Sequence, residues 1–373
     1  MPANLPAEAK SKWRRVMEAR TPEEKLEALQ EFLSAVPKHK GTERLRMQVT
    51  RQIAALRREI ELRRRKRTGG GEQFFVEKEG DIQVVLLGLP MSGKTSLFKC
   101  LTGVDPADTR KPVPGMKVWE GVYFQLVDAP PFLGDAATQA RLTALARNAD
   151  ALMLVVDATA DVEYQVTTLL NSLEDARITV KRPRAQVEIE KRATGGVVVV
   201  GDLEGATLQD VISLLREYGI YHAAVRIQGR ATLDDVEEAV FGGLSYKPSV
   251  IVTTKTGTLG ERAKSYLTAV GVPVFLFSKC EEFEFGGVAE YFFKELDLIR
   301  VYTRNPKTGE VEERPVVTKR GARVLDVAKM IHTQLYENFK YALVWSNRFT
   351  FNPRRVGKDF ILEDGDIIQI VGG

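Results

Sequence analysis

The chain has 373 residues, of which 44% are apolar, and a net charge of +4. This length suits two to four domains, and the apolar fraction is typical of globular cores rather than of disordered chains. No apolar run reaches the roughly 18 to 20 residues that a membrane helix needs, and the N-terminus lacks the apolar core of a signal peptide. The two cysteines, Cys100 and Cys280, are too few for a disulfide framework, and the three histidines show no zinc-site spacing. We therefore expect a cytoplasmic protein without a membrane segment.

Residues 1–70 predict a helical hairpin. Thr21 can cap a helix in which Pro22 takes the first position and Glu24 completes a capping box. This helix should run to Val36 and stop at the following proline. A second helix, capped by Thr42, should follow a short turn. Its apolar residues keep spacings of three and four: Leu45, Val49, Ile53, Leu56 and Ile60.

The positive charge is concentrated in this hairpin. Residues 1–68 carry 18 Lys and Arg against 9 Asp and Glu, a net of +9, so the remainder sums to −5. The second helix ends in "RRRKRTGGG", a basic run followed by a flexible glycine linker. A basic arm on a mildly acidic body is typical of proteins with a polyanionic partner such as RNA. A solvated helix surface explains the same charges, and charge alone does not decide between the two.

Four nearly continuous apolar runs predict strands at residues 81–88, 121–128, 151–158 and 249–254. Such runs are typical of a parallel sheet that helices cover on both faces. We therefore predict an α/β domain over residues 80–160 and 246–297. Residues 161–245, with several short strands and two helical stretches, predict an inserted α+β domain.

A small C-terminal domain is predicted over residues 298–373. "IRVYT" and "RPVVT" indicate strands, "VLDVAKMIHTQL" indicates a helix, and "YALVWS" and "FILEDGDIIQIV" indicate further strands. Two strands, a helix and more strands in so short a segment are typical of a β-grasp module.

The segment "GLPMSGKTS" satisfies G-x-x-x-x-G-K-[ST] between a predicted strand and a predicted helix, which is the context that a phosphate-binding loop requires. Its glycines let backbone N–H groups surround a phosphate, Lys94 would reach the β and γ oxygens, and the Thr95 hydroxyl would bind Mg²⁺. The candidate nucleotide-binding residues of the loop are Gly88, Pro90, Ser92, Gly93, Lys94, Thr95 and Ser96.

Asp128 ends the next apolar strand, in "QLVDAPPF". Its position suits a carboxylate that holds Mg²⁺ through water. An Asp at a strand end is also a common turn residue.

The loop, the stretch "VPGMKVWEGVYFQLVDAPP" and the C-terminal segments closely resemble the developmentally regulated GTP-binding (DRG) proteins of the Obg superfamily. The resemblance covers nearly the whole chain in the family's domain order. It implies an α/β fold with a Ras-like P-loop G domain, an α+β insertion, an N-terminal helical hairpin and a C-terminal β-grasp domain of the TGS type. It also implies GTP and Mg²⁺ as ligands, association with the ribosome, and a partner protein of the kind that DRG proteins have.

By the same resemblance, further residues take roles in the site. Thr109 corresponds to the switch I threonine that contacts Mg²⁺, Lys255 to the lysine of the N-K-x-D base motif, and Ser278 to the serine of the last base-contacting loop. With Thr95 and Asp128, Thr109 completes the candidate metal ligands.

Two departures from the family pattern concern the base and the γ-phosphate. "TKTG" replaces N-K-x-D, so Gly257 stands where a carboxylate would accept hydrogen bonds from guanine N1–H and N2–H₂. Charge-assisted bonds contribute about 1.5 to 3 kcal/mol each, so their loss predicts a weakened preference for guanine. "DAPP" replaces D-x-P-G, and Pro131 has no N–H with which to contact a γ-phosphate.

The leading hypothesis is therefore a DRG-like, ribosome-associated nucleotide-binding protein with weakened guanine specificity and low GTPase activity. An active GTPase or ATPase switch, in which Lys279 or Glu281 contacts the base, is one alternative. A scaffold that binds RNA or ribosomes without nucleotide is the other.

Overall fold

The computed structural model describes residues 7–19, 21–37, 42–67, 74–132, 136–255, 259–306 and 308–372. Its helices are α1 (Ala7–Glu18), α2 (Pro22–Ala35), α3 (Glu43–Arg67), α4 (Lys94–Thr102), α5 (Ala136–Asn148), α6 (Val162–Asp175), α7 (Leu208–Glu217), α8 (Leu233–Val240), α9 (Glu261–Val270), α10 (Phe285–Glu295), α11 (Val324–Ile331) and α12 (Thr333–Glu337). Its strands are β1 (Ile82–Gly88), β2 (Val113–Trp119), β3 (Val122–Asp128), β4 (Ala151–Asp157), β5 (Ile178–Thr179), β6 (Ala185–Lys191), β7 (Val197–Leu203), β8 (Ala223–Ala231), β9 (Ser245–Tyr246), β10 (Ser249–Thr254), β11 (Val274–Phe277), β12 (Leu298–Thr303), β13 (Val316–Lys319), β14 (Phe339–Trp345), β15 (Arg354–Val356) and β16 (Ile367–Gly372).

The chain forms two compact units. The first contains Met1–Phe74, Phe132–Arg147 and Tyr164–Lys247. The second contains Phe75–Pro131, Asn148–Glu163 and Pro248–Gly373. None of the helices that the structure describes is both long enough and apolar enough to cross a membrane.

The N-terminal helices confirm the predicted helix signals and add one element. α2 has the complete capping box of Thr21 and Glu24 and ends before Val36, and the predicted stripe of α3 is buried or half-buried along its length. α1 precedes them and was not predicted, so three helices replace the expected hairpin. Its apolar residues Ala9, Trp13 and Val16 are buried, and their helical spacing is the signal that could have revealed it.

These helices share one hydrophobic core with the inserted segment. Trp13 lies among three aromatic rings, with centroids 4.9 Å from Phe32, 4.9 Å from Phe241 and 5.6 Å from Tyr218. Its indole Nε1 donates to the Tyr218 carbonyl at 3.1 Å. The predicted basic arm is therefore an integral part of this unit and not a detachable appendage.

The inserted segment folds around a three-stranded sheet in the order β6-β8-β7. β8 pairs antiparallel with β6 and parallel with β7, so the two strands that are close in sequence are separated in the sheet. α7 and α8 begin with capping boxes at Thr207 and Thr232. The sequence analysis did not predict α6, which precedes these strands.

The second unit contains a six-stranded sheet in the order β11-β10-β4-β1-β3-β2. All its pairs are parallel except that of β2 with β3. The four predicted strands appear as β1, β3, β4 and β10, and almost all their residues are buried, as is typical of the central strands of a parallel sheet. β2 and β11 were not predicted, since "VPGMKVW" is half exposed and "VFLF" is only four residues long.

The C-terminal segment of this unit forms a five-stranded sheet in the order β13-β12-β16-β14-β15, packed on α11. Two predictions need correction. The helix predicted over residues 324–335 is interrupted at His332. This residue has an extended φ of −163° and lies between the end of α11 and the start of α12. The strand predicted from residue 360 begins only at Ile367, because residues up to Asp366 form a turn with Gly365 at φ 84°.

Candidate nucleotide-binding site

The candidate site lies at the carboxyl edge of the six-stranded sheet. β1 is flanked by β3 and β4, and β4 by β10, so the ends of all four strands meet there. Gly88, Asp128, Asp157 and Thr254 are the last residues of these strands. Open α/β sheets bind ligands at this edge.

The phosphate-loop segment turns directly from β1 into α4. Gly93 has φ 82° and immediately precedes α4, which begins at Lys94. A Cβ on Gly88 would lie 2.4 Å from Ser92 Oγ and 2.7 Å from the Val155 carbonyl oxygen. Both glycines of the motif are therefore required by the backbone path, and the helix N-terminus that follows is suited to an anion.

Two predicted ligands, Lys94 and Thr95, converge on the carboxylate of a third, Asp128. Lys94 Nζ donates to Asp128 Oδ1 at 2.6 Å, and Thr95 Oγ1 donates to Asp128 Oδ2 at 2.8 Å. Lys94 is 6% exposed and Asp128 is 3% exposed. The structure thus places Asp128 within the phosphate-loop cluster and not merely in a turn.

The side chain of Ser92, in the phosphate loop, carries a buried hydroxyl. Its Oγ is buried and has no hydrogen-bond partner among the described residues. A buried hydroxyl without a partner is unfavourable unless a ligand or water completes it. Pro90, Met91 and Ser96 are exposed on the outside of the same turn.

Thr254, the last residue of β10, connects this strand to the phosphate loop through hydrogen bonds. Its Oγ1 lies 2.6 Å from the Ser92 carbonyl oxygen and 3.3 Å from that of Val156, and the side chain is 2% exposed. A Cβ on Gly93 would come within 3.0 Å of the Thr254 hydroxyl. The threonine that replaces the motif's asparagine therefore anchors the loop directly.

Lys255 is held by a carboxylate that the sequence analysis did not single out. Its Nζ donates to Asp157 Oδ2 at 2.5 Å, while Thr159 donates to Asp157 Oδ1 through its backbone N at 2.9 Å and its Oγ1 at 2.6 Å. Burial acts to raise the pKa of Asp157, but the hydrogen bonds from Lys255 and Thr159 outweigh it and keep the pKa below its ordinary value. Asp157 therefore stays ionised and fixes the head of Lys255.

The remaining predicted residues lie apart from this cluster. Thr109 is in an exposed turn before β2, and none of the described side-chain hydrogen bonds joins it to Thr95 or Asp128. Ser278 follows β11 and donates from Oγ to Glu282 Oε2 at 2.7 Å. Gly257, on which the expected loss of guanine preference depends, lies outside the described residues.

The cluster fits a phosphate and a magnesium ion by its chemistry. Thr95 and Asp128 bring hard oxygen atoms together, which Mg²⁺ prefers alongside phosphate oxygens and water. The described residues hold no group of three or more His, Cys, Asp or Glu that could hold a metal ion, and a magnesium site completed by phosphate does not need one.

Comparison with known proteins agrees with this arrangement. A sequence profile described as a 50S ribosome-binding GTPase matches residues 83–188, and a profile of the C-terminal region of that domain matches residues 194–298. A TGS domain profile matches residues 299–372. The developmentally-regulated GTP-binding protein 1 of Xenopus laevis is 31% identical over 338 residues, which are 86% of this chain and 90% of the relative.

The chain belongs to the developmentally-regulated GTP-binding protein family. Developmentally-regulated G-protein 3 of Arabidopsis thaliana is 27% identical over 93% of this chain and 98% of the relative. An uncharacterized GTP-binding protein of Halobacterium salinarum is 28% identical over 94% of this chain and 98% of the relative. Among solved structures, a GTP binding protein from Pyrococcus horikoshii is 16% identical, with a TM-score of 0.41 over 78% of this chain and 100% of that chain. The profiles and the sequence relatives confirm the family, the P-loop GTPase domain and the C-terminal TGS domain that the resemblance implies.

Asp157 and Thr254 belong to the candidate site but were not among the residues predicted from the sequence. Asp157 ends an apolar strand just as Asp128 does, in "LMLVVDA", and that shared pattern could have drawn attention to it. Thr254 was treated only as a departure from asparagine. Its anchoring role becomes visible only through a contact with Ser92, 162 residues away in the sequence.

Proposed function

We propose that this DRG-family protein binds a purine nucleoside triphosphate with Mg²⁺, with weakened guanine preference and slow hydrolysis, and acts on the ribosome. The observation that carries the nucleotide part is the convergence of Lys94 and Thr95 on Asp128, at the start of the helix that follows the phosphate loop. GTP is the family's nucleotide, and the phosphates and Mg²⁺ are its parts that this cluster can hold.

In this proposal each residue of the cluster has a defined task. Lys94, only 6% exposed, neutralises the β and γ oxygens, and the backbone N–H groups at the start of α4 surround the phosphate. Thr95 contributes its hydroxyl to Mg²⁺, and Asp128 orients the water ligands of the ion. Mg²⁺ supplies charge neutralisation on the phosphate oxygens.

The residues expected to lie near the purine base support a weakened preference for guanine over adenine. Thr254 keeps the loop-anchoring contact, and Asp157 holds Lys255, whose stem can stack on a purine of either kind. The sequence places Gly257 where a carboxylate would read guanine. Sites that form hydrogen bonds with a ligand group reject analogues without it by about 10⁴ to 10⁵, so the missing acceptor removes the main source of discrimination.

Hydrolysis should be slow. Pro131 has no N–H with which to contact the γ-phosphate or to orient the attacking water. We expect turnover near the intrinsic rate of small GTPases, on the order of 10⁻⁴ to 10⁻³ s⁻¹. Phosphate release near 1 s⁻¹ without an added partner would contradict this.

Calorimetric titration with GTP and ATP, with and without Mg²⁺, tests the nucleotide part. Lys94→Ala should weaken binding by about 30-fold or more, in line with the roughly 2 to 5 kcal/mol lost when a buried charge partner is removed. Lys99→Ala is the matched control. It removes the same charge from the same helix, but Lys99 is exposed and pairs only with Asp105 at 2.6 Å.

The outcomes separate the alternatives. Affinities for GTP and ATP within about tenfold of each other support the proposal, whereas a preference above about 10³ for GTP would indicate an intact guanine switch. If neither nucleotide binds, or if Lys94→Ala and Lys99→Ala bind equally well, the phosphate loop holds no nucleotide. That result would favour the alternative of a scaffold that works without nucleotide.

The ribosomal part of the proposal rests on the matching profile's description as a ribosome-binding GTPase and on the basic end of α3. That helix runs to Arg67 and ends in "ELRRRKR". Cationic residues at this density bind RNA phosphates and release counterions, so affinity should fall steeply with salt. Deleting residues 1–70 is a poor test, because it would also remove Trp13 and Phe32 from the core.

Replacing Arg63, Arg64, Arg65, Lys66 and Arg67 with glutamine tests the arm while keeping Trp13 and Phe32 in the chain. The matched control removes five exposed charges elsewhere, at Arg262, Lys264, Lys294, Arg320 and Arg323. We expect the arm variant to lose co-sedimentation with purified ribosomes at low salt and to show a flatter salt dependence, while the control keeps both. Equal co-sedimentation of the two variants across a salt series would show that the arm is only a solvated surface.

A further inference from the structure

We infer that Cys100 and Cys280 form a redox-sensitive pair whose disulfide holds the base-contacting loop against the phosphate-binding helix, and that its reduction weakens nucleotide binding. The inference rests on the proposed nucleotide-binding function and adds a modification site to it. The cysteine count led us to expect a reducing environment, yet the structure joins the chain's two cysteines in a disulfide.

The two cysteines belong to different segments of the candidate nucleotide site, and the disulfide joins those segments. Cys100 is in the last turns of α4, the helix that begins at Lys94. Cys280 opens a short 3₁₀ helix, two residues after Ser278, the residue assigned to the base-contacting loop. They are 180 residues apart in the sequence, and their Cα atoms are 5.5 Å apart, inside the roughly 4.4 to 6.8 Å that a disulfide spans.

The bond connects a rigid element to a weakly held one. α4 is anchored by Leu97, Phe98 and Leu101, which are 0%, 0% and 6% exposed. Residues 278–282 are all exposed, and their described side-chain contacts join Ser278 and Lys279 only to Glu282 within the same segment. With so little burial of its own, this loop depends on the disulfide for a fixed position beside the helix.

The loop's position matters for binding because the phosphates and the base belong to one ligand. The disulfide fixes the separation between the residues at the start of α4 and Ser278. A pre-organised loop loses less conformational freedom when the ligand binds. We expect the disulfide form to bind GTP about tenfold more tightly than the dithiol form, an effect of about 1.4 kcal/mol.

The redox step is a thiol–disulfide exchange with a small disulfide such as oxidised glutathione. The Cys280 thiolate, which is exposed, attacks one sulfur of glutathione disulfide and releases one glutathione thiolate. The Cys100 thiolate then attacks Cys280 Sγ and releases the second. The two cysteines lose two electrons in total, and glutathione disulfide gains them as it becomes two thiols. An excess of dithiol reverses the reaction.

The test compares the full chain after treatment with oxidised glutathione and after reduction with dithiothreitol. Alkylation of free thiols followed by mass spectrometry establishes the state of the pair in each sample. Fluorescence titration with labelled GTP and Mg²⁺ then gives Kd, which we expect to rise about tenfold on reduction. The double variant Cys100→Ser, Cys280→Ser should bind like the reduced wild type and should not respond to dithiothreitol.

Inorganic tripolyphosphate serves as a second probe because it has no base. If the disulfide acts through the base loop, the affinity for tripolyphosphate should change by less than about twofold on reduction. A tenfold change with this probe as well would place the effect at the phosphate helix and overturn the inference. Reduction of the wild type needs no substitution, so the test holds even if the serine variant does not fold.

The remaining outcomes separate this inference from the proposed function. GTP binding with the same Kd in both redox states overturns the inference alone, even if reduction lowers the melting temperature, because the bond would then be only a structural cross-link. Tighter binding in the reduced state also overturns it. Failure of both redox states to bind GTP or ATP overturns the proposed nucleotide binding and the inference with it.

Discussion

Thr254→Val is the substitution that best isolates the contact between the base-motif strand and the phosphate loop. Valine keeps the shape of threonine, and thus the packing of Thr254 beside Gly93, but it has no hydroxyl. The carbonyl oxygens of Ser92 and Val156, 2.6 and 3.3 Å from the Thr254 hydroxyl, both lose that donor. The change therefore tests whether this hydroxyl holds the loop.

The expected magnitude follows from burial. Because Thr254 is only 2% exposed, a water molecule cannot readily replace the missing hydroxyl donor. Removing one partner of a buried hydrogen bond costs about 1 to 3 kcal/mol. The added buried methyl group returns about 0.8 kcal/mol or less. We expect the free energy of unfolding to fall by about 1 to 2 kcal/mol, and the Kd for nucleotide to rise up to about tenfold as the loop loosens.

Thr253→Val is the matched control. Thr253 precedes Thr254 on the same strand and is 0% exposed, but its hydroxyl lies 3.5 Å from the Phe275 carbonyl oxygen, at the limit of a hydrogen bond. This variant should change the unfolding free energy by less than about 0.5 kcal/mol and leave nucleotide affinity within about twofold. Urea denaturation and calorimetry measure both quantities. Equal losses in the two valine variants would refute the anchoring role of Thr254.

Two further predictions concern the core of the first unit and the acid sensitivity of the site. Trp13→Ala should lower the free energy of unfolding by about 3 to 5 kcal/mol, because Trp13 is 3% exposed, whereas Arg14→Ala beside it should have little effect in the same urea titration. Asp157 has a pKa below its ordinary 3.8, so the stability it gains from Lys255 should be complete above about pH 4 and lost as pH falls through the lower folded pKa. Asp157→Asn should therefore be less stable than the wild type near pH 7, with the difference shrinking as pH falls through the lowered pKa of Asp157, and a constant difference across an acid titration would contradict this.

The sequence by itself determined the elements whose signals are local. Thr21 and Glu24 are only three residues apart, and together they form the capping box at the start of α2. The beginning of this helix was predictable because the signal lies within one short segment. The apolar runs of the parallel sheet were predictable because a strand buried on both faces has few polar residues. The phosphate loop is also local, since its glycines, lysine and threonine act within one turn between β1 and α4.

Only the tertiary structure decided which distant residues meet. The pairs Thr254 and Ser92, Lys255 and Asp157, and Cys100 and Cys280 are separated by 162, 98 and 180 residues. Each pair forms because the fold brings together segments that are distant in the sequence, and the order in which those segments pack cannot be read from any one of them. The same reason explains why the N-terminal helices were taken for a separate arm. Their apolar stripe was visible in the sequence, but its partners, over 150 residues further along the chain, were determined by the fold.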